Sequence, residues 1–227
     1  MNTLNNTALE DILDLQDITY EKPSKAYLLI KRIFDVFFAI IAIILLSPVM
    51  LVIACAIKLE DGGPVIHNRM CVKPDGTEFK MHKFRSMKQD ADTLEKWLSP
   101  DEIKQFYAEA KIDNDPRITK CGKVIRKLSI DELPQLFCIV EGTMSFVGPR
   151  PITEPETVHY KDKLSMLLEA TPGLTGNWQV NGRSDCTYNS GRRQGLELYY
   201  VANRCMSLDI KIFFKTFSVV FSREGAR

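Results

Sequence analysis

The sequence predicts a mainly helical α+β protein with an apolar, membrane-inserted helix near its N-terminus and a small β-hairpin. Three observations carry that prediction. The apolar residues are concentrated in one run, Val36–Ile57, which holds no charged side chain. Asp75-Gly76 separates two short stretches of β-forming residues. Most of the remainder reads as charged or amphipathic helix broken by proline and glycine. The 227 residues suffice for one compact domain and an anchor, not for two full domains.

Composition narrows the function classes. Thirty basic residues face 29 acidic ones, so no net field points to nucleic acid, and no nucleic-acid partner is expected. The six cysteines form no CxxC pair and the histidines are isolated. No zinc-type spacing exists, and the thiols read as free and cytosolic.

In chain order, residues 1–30 form a polar N-terminal extension with an acidic cluster (Glu10, Asp11, Asp14, Asp17). No basic stretch precedes an apolar one there, so it is not a signal peptide; residues 13–20 allow a marginal helix. Residues 31–60 are the anchor. About 20 apolar residues cross a bilayer, but Ser47-Pro48 interrupts the run, and proline removes a backbone donor. A kink is therefore expected just before Pro48. Basic residues stand on both flanks: Lys25, Lys31 and Arg32 before, Lys58, Arg69 and Lys73 after. A spanning helix favours one-sided basic charge, whereas a re-entrant hairpin returns both ends to the cytosol; from the residues alone both arrangements stay open. Asp35 is costly in lipid and calls for a cation or a helix-capping role.

Residues 61–227 form the cytosolic part. Pro64-Val65-Ile66 opens a strand, and Met70–Phe79 reads as strand, turn, strand. A charged helix is expected over 91–110 and a loop over 113–119. Residues 145–151 read as a rigid loop, 160–169 as helix, 172–176 as a turn, and 207–222 as a basic amphipathic helix suited to a membrane surface or to docking on a core.

Asp131-Glu132 is the sharpest chemical feature. Ser129-x-x-Glu132 matches a capping box, which would make the acids ordinary first-turn residues. The same geometry also allows one carboxylate to act as nucleophile and the other to ligate a hard cation such as magnesium. Lys83, Arg85, Arg117, Arg126, Lys127, Arg150 and Arg183 lie in segments bounded by glycine or proline. Arg150, between Pro149 and Pro151, has a stiff mount suited to bidentate phosphate recognition. Asp209 precedes a basic helix and could simply cap it. There is no P-loop or Rossmann fingerprint.

Taken in order, Lys31–Asp35, Ser47-Pro48, Lys83–Met87, Leu128–Leu136, Met144–Pro151 and Pro172–Arg183 resemble the bacterial sugar transferases, the monotopic polyprenyl-phosphate phosphoglycosyl transferases. The resemblance runs from about Lys31 to Thr216. It implies transfer of a sugar-1-phosphate from a UDP-sugar to undecaprenyl phosphate, with Asp131 as nucleophile, a covalent phosphosugar intermediate, and release of UMP. It further implies that Asp131 and Glu132 hold Mg2+, that Lys83 and Arg126 contact phosphates, and that Pro149, Arg150 and Pro151 bind the nucleotide. Gln179, Arg183 and Asp209 fall on positions near the family's active site. The anchor is then re-entrant, broken at Ser47 and Pro48, in the inner membrane of a bacterium, with amphipathic interfacial helices around the active site and the catalytic domain facing the cytosol. Membrane lipid is a partner, and a homo-oligomer stays open. Glucose or galactose is the expected sugar, from the likeness of the Trp178–Tyr200 region to hexose-phosphate members, and exopolysaccharide, capsule or O-antigen assembly is the expected setting. Cys138 replaces a common asparagine, and His67-Asn68 and Asn177 also depart from the pattern, which bears on the sugar more than on the reaction.

Overall fold

The computed structural model describes residues 20–109, 112, 115–182, 188 and 190–222. The expected marginal helix at 13–20 lies almost wholly outside them, as does Arg183. Helices dominate, with one antiparallel hairpin and one long apolar helix.

That helix, α1, runs Lys25–Asp61. Ser24 opens it by accepting the Tyr27 N–H at 3.2 Å, an N-cap bond. Gly62, at φ 71°, closes it in the left-handed conformation that favours glycine. The helix continues through Pro48, where an interruption was expected. The Ile44 carbonyl, which would have received the missing N–H of residue 48, instead accepts the Ser47 hydroxyl at 2.9 Å. The side chain thus replaces the lost backbone donor. By length and composition α1 could cross a membrane, and only 11% of its most apolar stretch is buried.

The chain divides into two compact units. In one, whose described residues fall within 44–68 and 82–134, the C-terminal half of α1 packs Ile53 and Ile57 with Phe84 and Ile125, and Val65, Ile130 and Leu133 border them. The expected helix over 91–110 is two helices, α2 (Leu94–Trp97) and α3 (Pro100–Glu109). Ser99 divides them: its N–H donates to Glu102 Oε2 at 2.8 Å and its hydroxyl accepts the Glu102 N–H at 3.4 Å. This is a reciprocal capping box followed by proline at the first helical position. Helix α4, Lys120–Lys127, is capped by Thr119, whose hydroxyl accepts the Gly122 N–H.

The hairpin strands are β1 (Ile66–Val72) and β2 (Glu78–Phe84). Their turn is where Asp75-Gly76 placed it. Gly76 sits at φ 80°, and Asp75 Oδ1 accepts the Thr77 N–H at 2.9 Å, the Asx geometry that makes this pair a turn former.

The other unit has its described residues within 1–43, 69–81 and 135–227. It contains α5 (Gln135–Glu141), β3 (Ser145–Val147) and a 3-10 helix, Glu154–Lys163. There follow α6 (Leu164–Leu167), β4 (Gly173–Thr175), α7 (Asn177–Asn181), α8 (Arg192–Asn203) and α9 (Met206–Ser222). The segments expected as loop and turn at 145–151 and 172–176 each hold a strand, and these pair in parallel with Ser145 opposite Gly173. Three residues are too few to display the alternation that marks a strand. The core gathers Val147, Ile152, Tyr160, Leu167, Leu198, Tyr200, Val201 and Ile212. Asp35 is 7% exposed and, among the described residues, makes no direct salt bridge, though Lys31 lies near enough to act on its charge; it accepts the Ser145 hydroxyl at 2.7 Å and the Phe146 N–H at 3.1 Å.

Candidate active site

The Asp131-Glu132 pair does not open a helix, because α5 begins only at Gln135. The Ser129-x-x-Glu132 match is instead the exit from α4. Ser129 adopts φ 54°, its N–H donates to Arg126 O at 3.0 Å, and the Ile130 N–H donates to Ile125 O at 3.0 Å. Those two bonds form a Schellman motif, and Ile130 packs in the same cluster as Ile125, as that motif favours. The capping-box expectation is therefore overturned: the residues that looked like an N-terminus terminate the helix before.

The exit turn delivers Asp131 to the end of β2, where its carbonyl accepts the Phe84 N–H at 2.9 Å. One residue earlier, Lys83 Nζ donates to Glu132 Oε1 at 2.7 Å. That pair is 24% and 38% exposed, so it contributes little to stability but places a cation beside the dyad. Arg126 reaches the same place from α4, its Nε donating to Ser86 Oγ at 2.7 Å. Among the described residues, no side chain bonds to the Asp131 carboxylate. Burial pushes its pKa up and adjacent Glu132 adds to that, while Lys83 and Arg126 pull against the rise. Asp131 and Glu132 offer hard carboxylate oxygens of the kind a divalent cation such as magnesium takes, with Lys83 and Arg126 supplying positive charge beside them.

Four sequence-predicted residues, Asp131, Glu132, Lys83 and Arg126, thus gather in one unit. Two other candidate cations are committed elsewhere. Arg85 forks onto Asp61 and donates Nε to Pro64 O at 2.6 Å. Arg117 pairs with Asp115 at 2.7 Å, their side chains only 4% and 6% exposed. Sequence reasoning missed Ser86, and a signal for it existed in Gly122. A Cβ on Gly122 would lie 2.0 Å from the Ser86 carbonyl oxygen, so α4 touches this strand end backbone to backbone.

Pro149, Arg150, Pro151 and Gln179 lie in the other unit. Gly148 N donates to Thr175 O at 2.9 Å and Gly173 N to Pro149 O at 2.8 Å, which fixes the backbone leading into Arg150. A Cβ on Gly148 would fall 2.3 Å from Thr171 O, so only glycine permits that approach. The Arg150 guanidinium carbon lies 5.4 Å from the Trp178 ring centre, and its buried Nε has no hydrogen-bond partner among the described residues. Gln179 Oε1 is likewise buried and, among the described residues, unpartnered. Arg193, not singled out from the sequence, lies 4.5 Å over Trp178 and 3.9 Å over Tyr188. Asp209 sits in the first turn of α9 with both oxygens engaged, by Tyr200 at 2.7 Å, Tyr27 at 2.8 Å and Lys31 at 2.9 Å.

Comparison with known proteins gives a consistent result. The pattern of the family described as bacterial sugar transferase matches residues 26–223. The exopolysaccharide production protein ExoY of Rhizobium meliloti is 42% identical over 199 residues, 86% of this chain and 87% of the relative. The undecaprenyl-phosphate galactose phosphotransferase of Salmonella typhimurium is 42% identical over 200 residues, 87% of this chain but 41% of its own length. A UDP-N-acetylgalactosamine-undecaprenyl-phosphate N-acetylgalactosaminephosphotransferase of Aeromonas hydrophila is 37% identical over 209 residues, 90% of this chain and 47% of its own.

Proposed function

The chain belongs to the bacterial sugar transferase family, and on that premise we propose that it transfers a sugar-1-phosphate from UDP-glucose or UDP-galactose to undecaprenyl phosphate. The observation that carries this reading is the Asp131 carboxylate, held by backbone at the end of β2, flanked by Lys83 and Arg126, and joined to neither by a hydrogen bond. A structural carboxylate is normally paired; this one is left to react.

In the proposed sequence an Asp131 oxygen attacks the sugar-bearing phosphorus, the bond to the bridging oxygen breaks, and UMP leaves with that oxygen. A phosphate oxygen of the lipid then attacks the same phosphorus and releases Asp131 unchanged. Phosphoryl transfer depends on alignment and charge neutralisation more than on proton transfer. Lys83 holds Glu132 in place and stands by the phosphoryl oxygens, and Arg126, fixed through Nε, presents its terminal nitrogens to them. Bound at Asp131 and Glu132, Mg2+ would neutralise diphosphate charge. Arg150, with the stiff Pro149 and Pro151 on either side, supplies nucleotide recognition, and Gln179, Arg183 and Asp209 are further substrate-binding positions. The pathway is assembly of an exopolysaccharide-type glycan, at its first membrane step.

In this reading residues 31–60 anchor the protein in the inner membrane as a re-entrant element turning at Ser47-Pro48, and residues 61–227 work at the cytosolic face. Cysteines placed at Lys25 and Lys73 should then label from the same side; labelling from opposite sides would restore a spanning helix. For the chemistry, UDP-sugar labelled in the sugar-linked phosphate, given without lipid acceptor, should leave label on Asp131. Active enzyme that never carries label, or that releases UDP in place of UMP, would sink the two-step scheme.

A further inference from the structure

The last turn of α1 ends in two adjacent acids, Glu60 and Asp61, that the chemistry above does not use. Each reaches a different support of the dyad. Glu60 Oε1 accepts the Lys120 N–H at 2.7 Å, and Glu60 Oε2 the Cys121 N–H at 3.2 Å. Thr119 takes the next N–H, that of Gly122, at 2.9 Å. The first free donors of α4 are therefore satisfied, two of them by a carboxylate from about sixty residues earlier, placed where the helix dipole favours negative charge. The other end of α4 carries Arg126 and, through the Ser129 exit, Asp131.

Asp61 grips the second support. It takes both terminal nitrogens of Arg85, a fork-to-fork arrangement with a fixed geometry. The Arg85 N–H donates to Val65 O at 2.8 Å. Arg85 directly follows Lys83 and Phe84, the residues that hold the Glu132 carboxylate and the Asp131 carbonyl. Ile53 and Ile57 of α1 pack with Phe84 and Ile125 on these same two supports. Apolar contact is non-directional and sets spacing only; the two acids set register. Since α4 and residue 86 meet backbone to backbone at Gly122, neither support can shift without moving the other.

We propose that Glu60 and Asp61 are positioning residues for the transfer reaction, locking the last turn of α1 to the segments that aim Lys83 and Arg126 at the dyad. The inference rests on the reading of Asp131-Glu132 as the reacting pair. Glu60 is largely exposed, so its replacement should leave the fold intact while loosening Arg126. Misplacement of catalytic groups by about 1 Å can cost about a hundredfold.

The test uses the full chain in lipid nanodiscs, with UDP-glucose and UDP-galactose as donors, undecaprenyl phosphate as acceptor, and UMP release as the readout. Glu60→Ala should lower kcat about tenfold while the donor KM stays within about twofold. Glu60→Gln keeps an acceptor for the α4 donors and should recover most of the loss. Asp61→Asn should behave like Glu60→Ala, and melting temperatures measured alongside show whether each variant is folded at the assay temperature. Unchanged kcat in Glu60→Ala, a loss confined to KM, or a loss that tracks unfolded protein would overturn the proposal. Asp131→Asn separates the two claims. If it is inactive while Glu60→Ala matches the parent, only the positioning role falls; if it still releases UMP, the reading of the dyad falls and takes this inference with it.

Discussion

Helix α4 has an aspartate loop at each end, and the two loops treat their carboxylates in opposite ways. Before α4, Asp115 is 5% exposed and closed onto Arg117 by several hydrogen bonds. Burial raises its pKa, but the bonds and charge of Arg117 outweigh that and leave it below its ordinary value. After α4, Asp131 is half-buried and receives no side-chain donor among the described residues, and its pKa is raised, by burial first. One carboxylate is closed by its own arginine, and the other keeps acceptor oxygens that no side chain among the described residues takes up. Partnering separates the two roles where sequence neighbourhood does not, for both aspartates lie within reach of arginines.

The largest effect that sharpens this contrast is on activity. Asp131→Asn should lower UMP release by at least about a thousandfold, and the melting temperature should hold or rise, because a desolvated charge is removed. A fall of several degrees would place Asp131 among the structural acids. Lys83→Ala should come next, at about a hundredfold in kcat, the usual cost of one electrostatic contact to a transferring group; an effect on donor KM alone would reassign Lys83 to ground-state binding. Asp115→Ala should invert the pattern. Stranding Arg117 should cost about 3 kcal/mol of stability, seen as a lower melting temperature. Because the folded pKa of Asp115 is depressed, this contribution is complete above the ordinary aspartate value of 3.8 and fades as pH falls through the folded value. The gap between parent and variant should therefore close only in acid. The smallest effect is at Ser129: glycine suits its left-handed backbone, and Ser129→Gly should add about 0.5 to 1 kcal/mol. A loss there would show that the serine does more than turn the chain.

Much of this was legible in the residues. The Val36–Ile57 run became α1, Asp75-Gly76 became the hairpin turn, and residues 207–222 became α9, each because a strong local signal met no tertiary competitor. The convergence of Lys83, Arg126, Asp131 and Glu132 was also foreseen. The failures have physical causes. The Ser129-x-x-Glu132 spacing is shared by a helix start and by this helix end, and only the backbone angle at Ser129 separates them. Strands β3 and β4 exist because Gly148 and Gly173 let two chains approach closely, a contact invisible to local pattern. Arg85 stood among the candidate cations because the acid that claims it, Asp61, lies 24 residues away along the chain. Arg117 stood there although Asp115, two residues before it, closes onto it, since proximity in sequence does not by itself announce a pair.

The Ser47 hydroxyl has a consequence for the medium around α1. In hydrocarbon an unpaired carbonyl draws in water or another polar group, since no solvent molecule is at hand to bond it. In the membrane setting proposed above, by taking the Ile44 carbonyl, Ser47 would let a proline sit within an apolar helix without creating a wet spot. Ser47→Ala would leave that oxygen bare, and the expected result is local hydration of the bilayer at this depth. Proline thus removes one backbone donor from the segment, and its serine neighbour supplies another in its place.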